Sequence, residues 1–600
     1  MNTADYIVKR LEELGVNEFF GFPDDYNINL IDAVENNSNT KWIGCTNPLN
    51  AGYAADGYAR IRGFGALITS FGTNELSAMN AIAGSMAENV PVFHIVGLPS
   101  TEKINNKTLI HHNFQNTDYK NFMNAAKSVS EAVAFITKEN AKLEIDRLLT
   151  TLVRDKKPVY AAVPEDIAKT EISDRTVSYD WISDRTTLDE VASKINEKIQ
   201  KSKKPVILGD VLVKRFDAGI EFREFAEKTG IPVTNFLMGT NLVNMDSPNF
   251  IGGYFGDIRN PIVKKYLDET DCLIAVGTIY SDINSFGQNL PYNINDQIAI
   301  YGNHVIIEGK RYDNVKMPEV LEAVTNLAEY KEVEFNKSNV GVKHQDTGEE
   351  NLTYAYLFSK VQEFVKENDI IFAETGTSLL ETAQIKLPES ADFQAQALWS
   401  STGWATPAAF GACLAKPQSR VILITGEGAH QQTAMEIGNF LRFNAKPIVI
   451  VINNKNYATE QIFTYGLDKK SNEISQVNYA KFARAFDGDI WSTKVTTAED
   501  FDKALRVTQI MNKLCYIEAC VDCSDIPLSS RELIRKLRGT INNNKLPDVN
   551  VQNVYKSIDD VVLEPSKEKC EYETIVHKTF NEDIEEETIT AEEKEEQQNG

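Results

Sequence analysis

Short apolar runs alternate with segments of helical periodicity along most of this chain. Within residues 1–182 the apolar runs lie at 66–70, 92–96 and 159–163, and the segments between them place apolar residues three or four positions apart. Alternation of this kind is typical of parallel strands that are covered by helices. We therefore predict a doubly wound α/β domain over residues 1–182.

The same alternation occurs twice more. We predict a second α/β unit over residues 185–340 and a third over residues 352–540, joined by a polar linker near residues 336–351. The strands predicted in these two units are 206–208, 233–236, 272–276, 305–307, 370–373, 421–425, 448–452 and 516–521. The predicted fold class is thus α/β, with three doubly wound parallel-sheet domains in series.

The last sixty residues differ from the rest. Residues 541–600 are polar, and between Glu582 and Glu596 nine acidic residues stand against one lysine. Like charges at this density favour solvation over packing, so we predict an acidic, disordered tail. A solubilising tail and a recognition or secretion segment are the two interpretations of it.

Composition and charge limit the kinds of molecule that the protein is expected to bind. A chain of 600 residues is too long for one hydrophobic core, and a formal net charge of −24 argues against nucleic acid and anionic membrane as partners. No apolar run approaches the roughly 20 residues that a membrane helix needs. Seven scattered cysteines do not make a disulfide framework and fit a reducing cytoplasm. We expect a small-molecule substrate and a cytoplasmic location.

A glycine-rich segment follows the predicted strand 421–425, and the pair Asn453-Asn454 ends the next strand. The segment consists of Gly426, Glu427, Gly428 and Ala429. This order resembles the G-D-G…N-N motif of thiamine diphosphate enzymes, in which Mg²⁺ takes oxygen ligands and glycines let backbone N–H groups approach a diphosphate. The resemblance implies that Glu427, Asn454 and the carbonyl of Asn456 bind Mg²⁺, and that Gly426, Gly428 and Ala429 contact the cofactor.

A second motif, residues 47–60, reads N-P-L-N-A-G-Y-A-A-D-G-Y-A-R. It resembles the N-E-L-N-A-(G/S)-Y-(A/M)-A-D-G-Y-A-R signature of the thiamine diphosphate-dependent pyruvate and indolepyruvate decarboxylases. In that family the glutamate activates the cofactor by hydrogen bonding to its aminopyrimidine. Pro48 stands in its place here, and a proline side chain can neither donate nor accept a proton.

The same resemblance implies four acid–base residues on the substrate side. Asp25 lies in G-F-P-D-D-Y-N, which is similar to G-x-P-G-D-Y-N; His111-His112 match an L-H-H pair; and Glu460 matches the last residue of G-Y-T-I-E. In the family such residues supply the proton that replaces the departing CO₂ and help to release the aldehyde. Asp25 and His112 are the expected proton donors.

Two further segments are expected to surround the cofactor. Residues 374–378 match E-T-G-T-S, and residues 399–403 align with W-G-S-I-G, in which the isoleucine is an apolar support for the bent cofactor. The positions expected to contact the cofactor there are Thr375, Thr377, Ser400 and Thr402. Thr402 is smaller and more polar than isoleucine. The departures at Pro48, Thr402 and Glu427 therefore all concern cofactor activation.

The resemblance covers about residues 1–540 and implies non-oxidative decarboxylation of a 2-oxo acid of the pyruvate, indolepyruvate or phenylpyruvate type to an aldehyde and CO₂. Thiamine diphosphate and Mg²⁺ are the implied cofactors, and Pro48 predicts slow turnover. A catalytically inactive protein with a regulatory, sensor or effector role is the alternative, and a carboligase is the third hypothesis. The family also implies a homodimer or homotetramer.

Overall fold

The structure is a computed structural model that describes residues 1–173, 178–256, 260–287, 297–345, 351–464 and 470–542. The predicted acidic tail lies outside the described residues from position 543 onward. Three six-stranded sheets follow one another along the chain, each with helices packed against it. All strands predicted from the apolar runs are present, and their ends differ from the predicted ones by at most two residues.

The first sheet is parallel throughout, in the order β2-β1-β3-β4-β6-β5. Its strands are β1 (Glu18–Gly21), β2 (Lys41–Gly44), β3 (Gly65–Ser70), β4 (Val92–Leu98), β5 (Ala132–Phe135) and β6 (Val159–Pro164). Its helices are α1 (Thr3–Glu13), α2 (Ile28–Asn36), α3 (Pro48–Arg62), α4 (Thr73–Ala87), α5 (Thr101–Asn105), α6 (Asn121–Ala126), α7 (Ala141–Asp155) and α8 (Glu165–Ala168). The central strands β3, β4 and β6 are buried along their whole length, which is why they stand out as continuous apolar runs.

The second sheet has the strand order β12-β11-β10-β9-β7-β8. It contains both parallel and antiparallel pairs, which corrects the prediction of a parallel sheet in this domain. Its strands are β7 (Pro205–Gly209), β8 (Val233–Asn235), β9 (Cys272–Val276), β10 (Ile298–Ile300), β11 (His304–Ile307) and β12 (Lys310–Asp313). Its helices are α9 (Arg185–Lys201), α10 (Leu212–Arg215), α11 (Gly219–Thr229), α12 (Pro261–Asp268) and α13 (Met317–Leu327).

The hairpins of this sheet explain the difference. β11 pairs antiparallel with both β10 and β12. Glu308 and Gly309, which join β11 to β12, have φ angles of 51° and 76°. Two residues with positive φ form a tight hairpin turn, whereas a parallel connection needs a long crossover. The predicted strand 305–307 is therefore real, but its direction is the reverse of the predicted one.

The third sheet is parallel, in the order β14-β13-β15-β16-β18-β17. Its strands are β13 (Ile370–Ala373), β14 (Asp392–Ala395), β15 (Val421–Gly426), β16 (Ile448–Asn453), β17 (Ile490–Val495) and β18 (Leu514–Cys520). Its helices are α14 (Tyr354–Phe364), α15 (Thr377–Thr382), α16 (Ala405–Ala415), α17 (Glu427–Thr433), α18 (Ile437–Arg442), α19 (Ala458–Thr464), α20 (Tyr479–Ala483), α21 (Ala498–Ile510) and α22 (Leu528–Asn542).

A buried polar network joins the first and third domains. Arg60 of α3 forms ion pairs with Asp56 at 2.7 Å and with Glu88 at 2.9 Å, and the indole N–H of Trp404 donates to Asp56 at 2.8 Å. Because each of these buried charges has a partner of opposite sign or a hydrogen-bond donor, the network fixes how α3 packs against α16. Pro48 begins α3, and the loop with Ser400 and Thr402 leads into α16.

No helix in the described part of the chain is both long enough and apolar enough to cross a lipid bilayer.

Candidate active site

Glu427, Asn454 and Asn456 meet where the sequence predicts a metal site. β15 ends at Gly426 and β16 at Asn453, and the two strands are neighbours in the parallel sheet, so their carboxyl ends lie side by side. Oε1 of Glu427 accepts the backbone N–H groups of Asn454 at 3.1 Å and Asn456 at 3.2 Å. The structure therefore brings the predicted metal ligands together.

The Asn454 amide shows how these groups fit a cation. Its end lies 3.0 Å from Glu427 Oε1 and 2.6 Å from the Asn456 carbonyl oxygen. When its NH₂ group points toward these two oxygens, the amide donates a hydrogen bond to both. If a cation lay between the three groups, the amide would turn around so that its oxygen faced the cation. One carboxylate, one amide and one carbonyl form the oxygen set that Mg²⁺ prefers. The described residues contain no cluster of three His, Cys, Asp or Glu side chains that could hold a metal otherwise.

Burial also makes Glu427 suited to a cation. The Glu427 carboxyl is only 3% exposed, and this burial raises its pKa to about 8, against the opposing effect of backbone N–H groups. A bound divalent cation would offset the cost of burying the ionised form. The donor set and the charge of Glu427 therefore fit a metal ion.

The glycine-rich segment leaves room beside this site. A Cβ atom at Gly426 would meet nothing within 4 Å, so the start of α17 faces open space. Gly428 lies against the ring of Tyr457, which a Cβ atom there would overlap, and Ala429 is buried in the first turn of α17. Backbone that is not covered by side chains at the start of a helix is what lets N–H groups approach a diphosphate.

The four predicted cofactor contacts between residues 375 and 402 differ in whether their hydroxyl groups already have hydrogen-bond partners in the described structure. Thr375 donates its hydroxyl to the Gln396 carbonyl at 3.0 Å, and Thr402 accepts from the Gln432 amide at 2.8 Å. Ser400 has a φ of 54° and lies within 3.4 Å of two carbonyl oxygens of its own loop. The Thr377 hydroxyl is buried and has no hydrogen-bond partner in the described structure, so it remains open to a ligand.

Beside these residues, Glu374 fixes the loop that carries Ser400 and Thr402. The carboxylate is fully buried and accepts the N–H groups of Thr375 at 3.0 Å and Ala405 at 3.1 Å. Burial raises the pKa of Glu374 to about 7, and the backbone N–H donors oppose this rise. The sequence interpretation missed this role, although an acidic residue directly after a buried strand is a visible signal.

Asp25, His111 and His112 form a second cluster in the N-terminal domain. Asp25 Oδ2 lies 3.1 Å from His111 Nε2, and both side chains are about half exposed, at 52% and 54%. Tyr26 stacks on His111 with ring centroids 5.1 Å apart, and the two histidine rings meet edge to face at 4.6 Å. The structure therefore brings three of the four predicted acid–base residues together.

Glu460, the fourth predicted acid–base residue, lies in the C-terminal domain. It stands in the first turn of α19, directly after the Asn454–Asn456 segment, and its side chain is exposed.

Asp24 is a member of the N-terminal cluster that the sequence interpretation missed. Its Oδ2 atom lies 3.6 Å from His112 Nδ1, and its Oδ1 atom accepts the N–H of Asp25 at 2.7 Å. The similar motif G-x-P-G-D-Y-N has glycine at this position, so the motif drew attention to Asp25 alone. Two adjacent carboxylates in a loop directly after the buried strand β1 were the signal that could have revealed it.

Pro48 is the first residue of α3 and is buried. The Asn47 side chain caps the helix by accepting the N–H of Asn50 at 2.8 Å, and proline suits the next position because its missing N–H would have no partner there. The Asn50 amide donates to the buried Glu436 carboxylate at 2.9 Å, which ties this turn to the C-terminal domain. Pro48 is thus well accommodated and brings no proton donor or acceptor.

Three family models match consecutive parts of the chain. They are the thiamine pyrophosphate enzyme N-terminal TPP binding domain over residues 1–122, the central domain over residues 192–324 and the C-terminal TPP binding domain over residues 374–519. Fold and candidate site thus define a thiamine pyrophosphate enzyme.

Similarity to curated proteins identifies the family within this class of enzymes. A putative pyruvate decarboxylase of Schizosaccharomyces pombe is 33% identical over 90% of this chain and 99% of its own length. Pyruvate decarboxylase isozyme 2 of Saccharomyces cerevisiae is 31% identical over 87% of this chain and 96% of its own, and an alpha-keto-acid decarboxylase of Mycolicibacterium paratuberculosis is 31% identical over 89% and 96%. The chain belongs to the thiamine diphosphate-dependent 2-oxo acid decarboxylases, a family of carboxy-lyases that use thiamine diphosphate as cofactor.

Proposed function

We propose that this protein converts a small 2-oxo acid, of the pyruvate, indolepyruvate or phenylpyruvate type, into an aldehyde and CO₂, with thiamine diphosphate and Mg²⁺ as cofactors. We further propose that turnover is slow because Pro48 replaces the activating glutamate. The observation that carries the proposal is the Asp25–His111 pair, 3.1 Å apart and open to solvent, beside His112. An acid–base group of this kind is what the proton uptake after loss of CO₂ requires.

The C-terminal domain would hold the cofactor. Glu427, Asn454 and the Asn456 carbonyl would bind Mg²⁺, the space beside Gly426 would take the diphosphate, and the free hydroxyl of Thr377 would bind the organic part. Thiamine diphosphate, when bound, supplies the electron sink for the carbon–carbon bond that breaks. Glu374 would keep the loop of residues 399–405 in place beside it.

The N-terminal domain would handle the protons. The 2-oxo acid loses CO₂ and takes up one proton, and Asp25 and His112 are the groups proposed to deliver it. Because Asp25 is half exposed, it can regain a proton from water after each turnover. Glu460, on the C-terminal domain, is proposed to act with them in releasing the aldehyde.

The test is a measurement of CO₂ release by the purified full-length protein supplied with thiamine diphosphate and Mg²⁺. Pyruvate, phenylpyruvate and indolepyruvate are offered separately, and the aldehyde is identified. We expect release above the rate of the uncatalysed reaction, and a loss of most of it in Asp25→Asn. Retention of both cofactors without turnover of any 2-oxo acid would contradict the proposal.

A catalytically inactive regulatory protein is the second candidate, and Pro48 is the observation that favours it. The residue fits the first turn of α3 and leaves the cofactor side of the site without the family's proton-transfer group. The same assay decides between the two, since an inactive protein would bind cofactor and release no CO₂.

We also propose that the protein is a homodimer or homotetramer in the cytoplasm. Support comes from the family resemblance, in which the N-terminal domain of one subunit faces the C-terminal domain of another. The acid–base cluster of Asp25 and the metal site of Glu427 do lie on different domains. Light scattering of the purified protein would give the assembly state.

A further inference from the structure

We propose that Asp24 is a positioning residue that keeps the proton of the substrate-side cluster on Asp25, with its own negative charge beside the ring of His112. The inference rests on the proposed decarboxylation, since it concerns the delivery of that proton. The family motif has glycine at this position, so the motif itself assigns no role to Asp24.

The structure anchors Asp24 as an ionised carboxylate. Its Oδ2 accepts the hydroxyl of Ser70 at 2.5 Å and the amide of Asn74 at 2.7 Å, and its Oδ1 accepts the N–H of Asp25 at 2.7 Å. Burial opposes ionisation, but hydrogen bonds from Asp25 and Ser70 outweigh it, so that the pKa of Asp24 is lowered. Three neutral donors thus stabilise the charged form.

The pKa of Asp25 is shifted in the opposite direction. The neighbouring Asp24 carboxylate is the main cause of a raised pKa of Asp25, partial burial adds to it, and the nearby His111 opposes it. Two carboxyl groups so close together hold one proton between them more readily than none. Asp24 accepts three hydrogen bonds, whereas the Asp25 carboxyl has the His111 ring 3.1 Å away as its neighbour, so the shared proton belongs on Asp25.

His112 is the second group that Asp24 contacts. The 3.6 Å separation between Asp24 Oδ2 and His112 Nδ1 places a negative charge beside the ring. The titratable groups that face Asp24 are Asp25 and Tyr26 on its own loop and His112 on the loop after α5, with His111 beyond Asp25. The groups that face it from β3 and α4, Ser70 and Asn74, are neutral.

The carboxylic acid of Asp25 gives its proton to the carbon that has lost CO₂, so that one O–H bond breaks and one C–H bond forms. Asp25 becomes a carboxylate beside Asp24, and the repulsion between them favours uptake of a new proton from water. Asp24 itself does not change its charge during this cycle.

A titration of Asp25 tests the role of Asp24 without any need for turnover. The carbonyl stretch of a protonated carboxylic acid is followed by infrared spectroscopy against pH, and the band that Asp25→Asn removes belongs to Asp25. We expect Asp24→Asn to move the midpoint of this band to lower pH, because the neighbouring negative charge is removed. Asp24→Glu should keep the midpoint close to the wild-type value. Asp32→Asn, which removes an exposed charge from α2, should leave the midpoint at the wild-type value.

The kinetic arm uses Asp24→Asn and adds Asp24→Gly, whose infrared midpoint is measured in the same way. In an active protein, the pH at which kcat/KM falls because Asp25 loses its proton should decrease in Asp24→Asn and in Asp24→Gly. An infrared midpoint that is identical in wild type, Asp24→Asn and Asp24→Gly would overturn the role of Asp24, whatever the activity. Absence of CO₂ release from the wild type would instead overturn the proposed function and leave the infrared result to decide on Asp24.

Discussion

Gly72 lies directly against the backbone of His112, because a Cβ atom on Gly72 would overlap the His112 carbonyl oxygen. Both residues have positive φ angles, 76° for Gly72 and 65° for His112. Left-handed backbone is costly for histidine and persists only where the surroundings hold it. The bare backbone of Gly72 therefore allows the strained position of a candidate proton donor.

We expect Gly72→Ala to displace the His112 segment. The variant should lose stability by about 1–3 kcal/mol from backbone strain. CO₂ release should fall by about tenfold or more, because the proton donor is misplaced. Thermal unfolding and the CO₂ assay measure the two effects.

Gly63→Ala is the matched control for this variant. Gly63 ends α3 with a φ of 93°, but a Cβ atom there would meet nothing within 4 Å. The control therefore carries the backbone strain without the overlap, and it should lose stability while keeping its turnover. Equal loss of turnover in Gly63→Ala and Gly72→Ala would show that strain alone, and not the displacement of His112, reduces activity.

Glu75 gives the N-terminal domain a predicted dependence of stability on pH. Its buried carboxyl accepts the N–H of Gly72 and the hydroxyl of Tyr160, both at 2.7 Å, and burial raises its pKa to about 7. The unfolded chain ionises the same group near its ordinary pKa of about 4.3. Between these values the folded protein binds more protons than the unfolded one, so stability falls as pH rises from about 5 to 7 and is constant above.

We expect Glu75→Gln to remove this slope. The amide keeps an acceptor for Gly72 and cannot ionise, so wild type should lose up to about 3 kcal/mol relative to the variant between pH 5 and pH 8. Thermal unfolding of both proteins across this range measures the difference. Parallel Tm curves for the two proteins would contradict the raised pKa.

The hydrophobic pattern predicted most interior strands but missed β1 and β10, and among the edge strands of the described sheets it predicted β8 alone. Strands such as β3, β4 and β15 are buried on both faces and appear as apolar runs. β12 (Lys310–Asp313) is an edge strand with one buried residue in four, and neither its polarity nor the two-residue turn before it suggested a strand. Edge strands need only one partner and little burial, so their residues carry little signal.

The residues of the candidate site also differ in how well the sequence predicts their positions. Glu427, Asn454 and Asn456 follow the ends of adjacent parallel strands, and their convergence could be predicted from their order along the chain. The contacts that Asp24 and Gly72 make with His112 could not, since they depend on which loop from a distant part of the chain lies against them. Contacts between loops separated by many residues leave no periodic pattern in the sequence.

Cofactor loading provides a prediction for the metal site. Mg²⁺ with thiamine diphosphate should raise the Tm of the wild type, because a ligand present at a hundred times its Kd stabilises the folded state by about 2.7 kcal/mol. We expect Asn454→Ala to lose this rise and Glu427→Asp to keep it, as aspartate also presents a carboxylate. A chelator should reverse the rise.

Asn512→Ala is the control for the loss of an amide, since Asn512 is exposed and lies in the same domain. Its rise in Tm should equal that of the wild type. If Asn454→Ala responds to Mg²⁺ and cofactor as strongly as Asn512→Ala does, the Asn454 side chain is not a metal ligand.

Pro48→Glu should increase the rate of CO₂ release. The position is the first of α3, where a carboxylate is favoured by the helix dipole and where an N–H needs no partner, so the backbone can accept the change. A positioned acid–base group contributes typically 10²–10⁴-fold, and a rise of about this size is expected. Pro48→Gln, of the same shape but without proton chemistry, should show no such rise. A folded, cofactor-loaded Pro48→Glu protein no faster than Pro48→Gln would mean that proline at this position does not limit the rate.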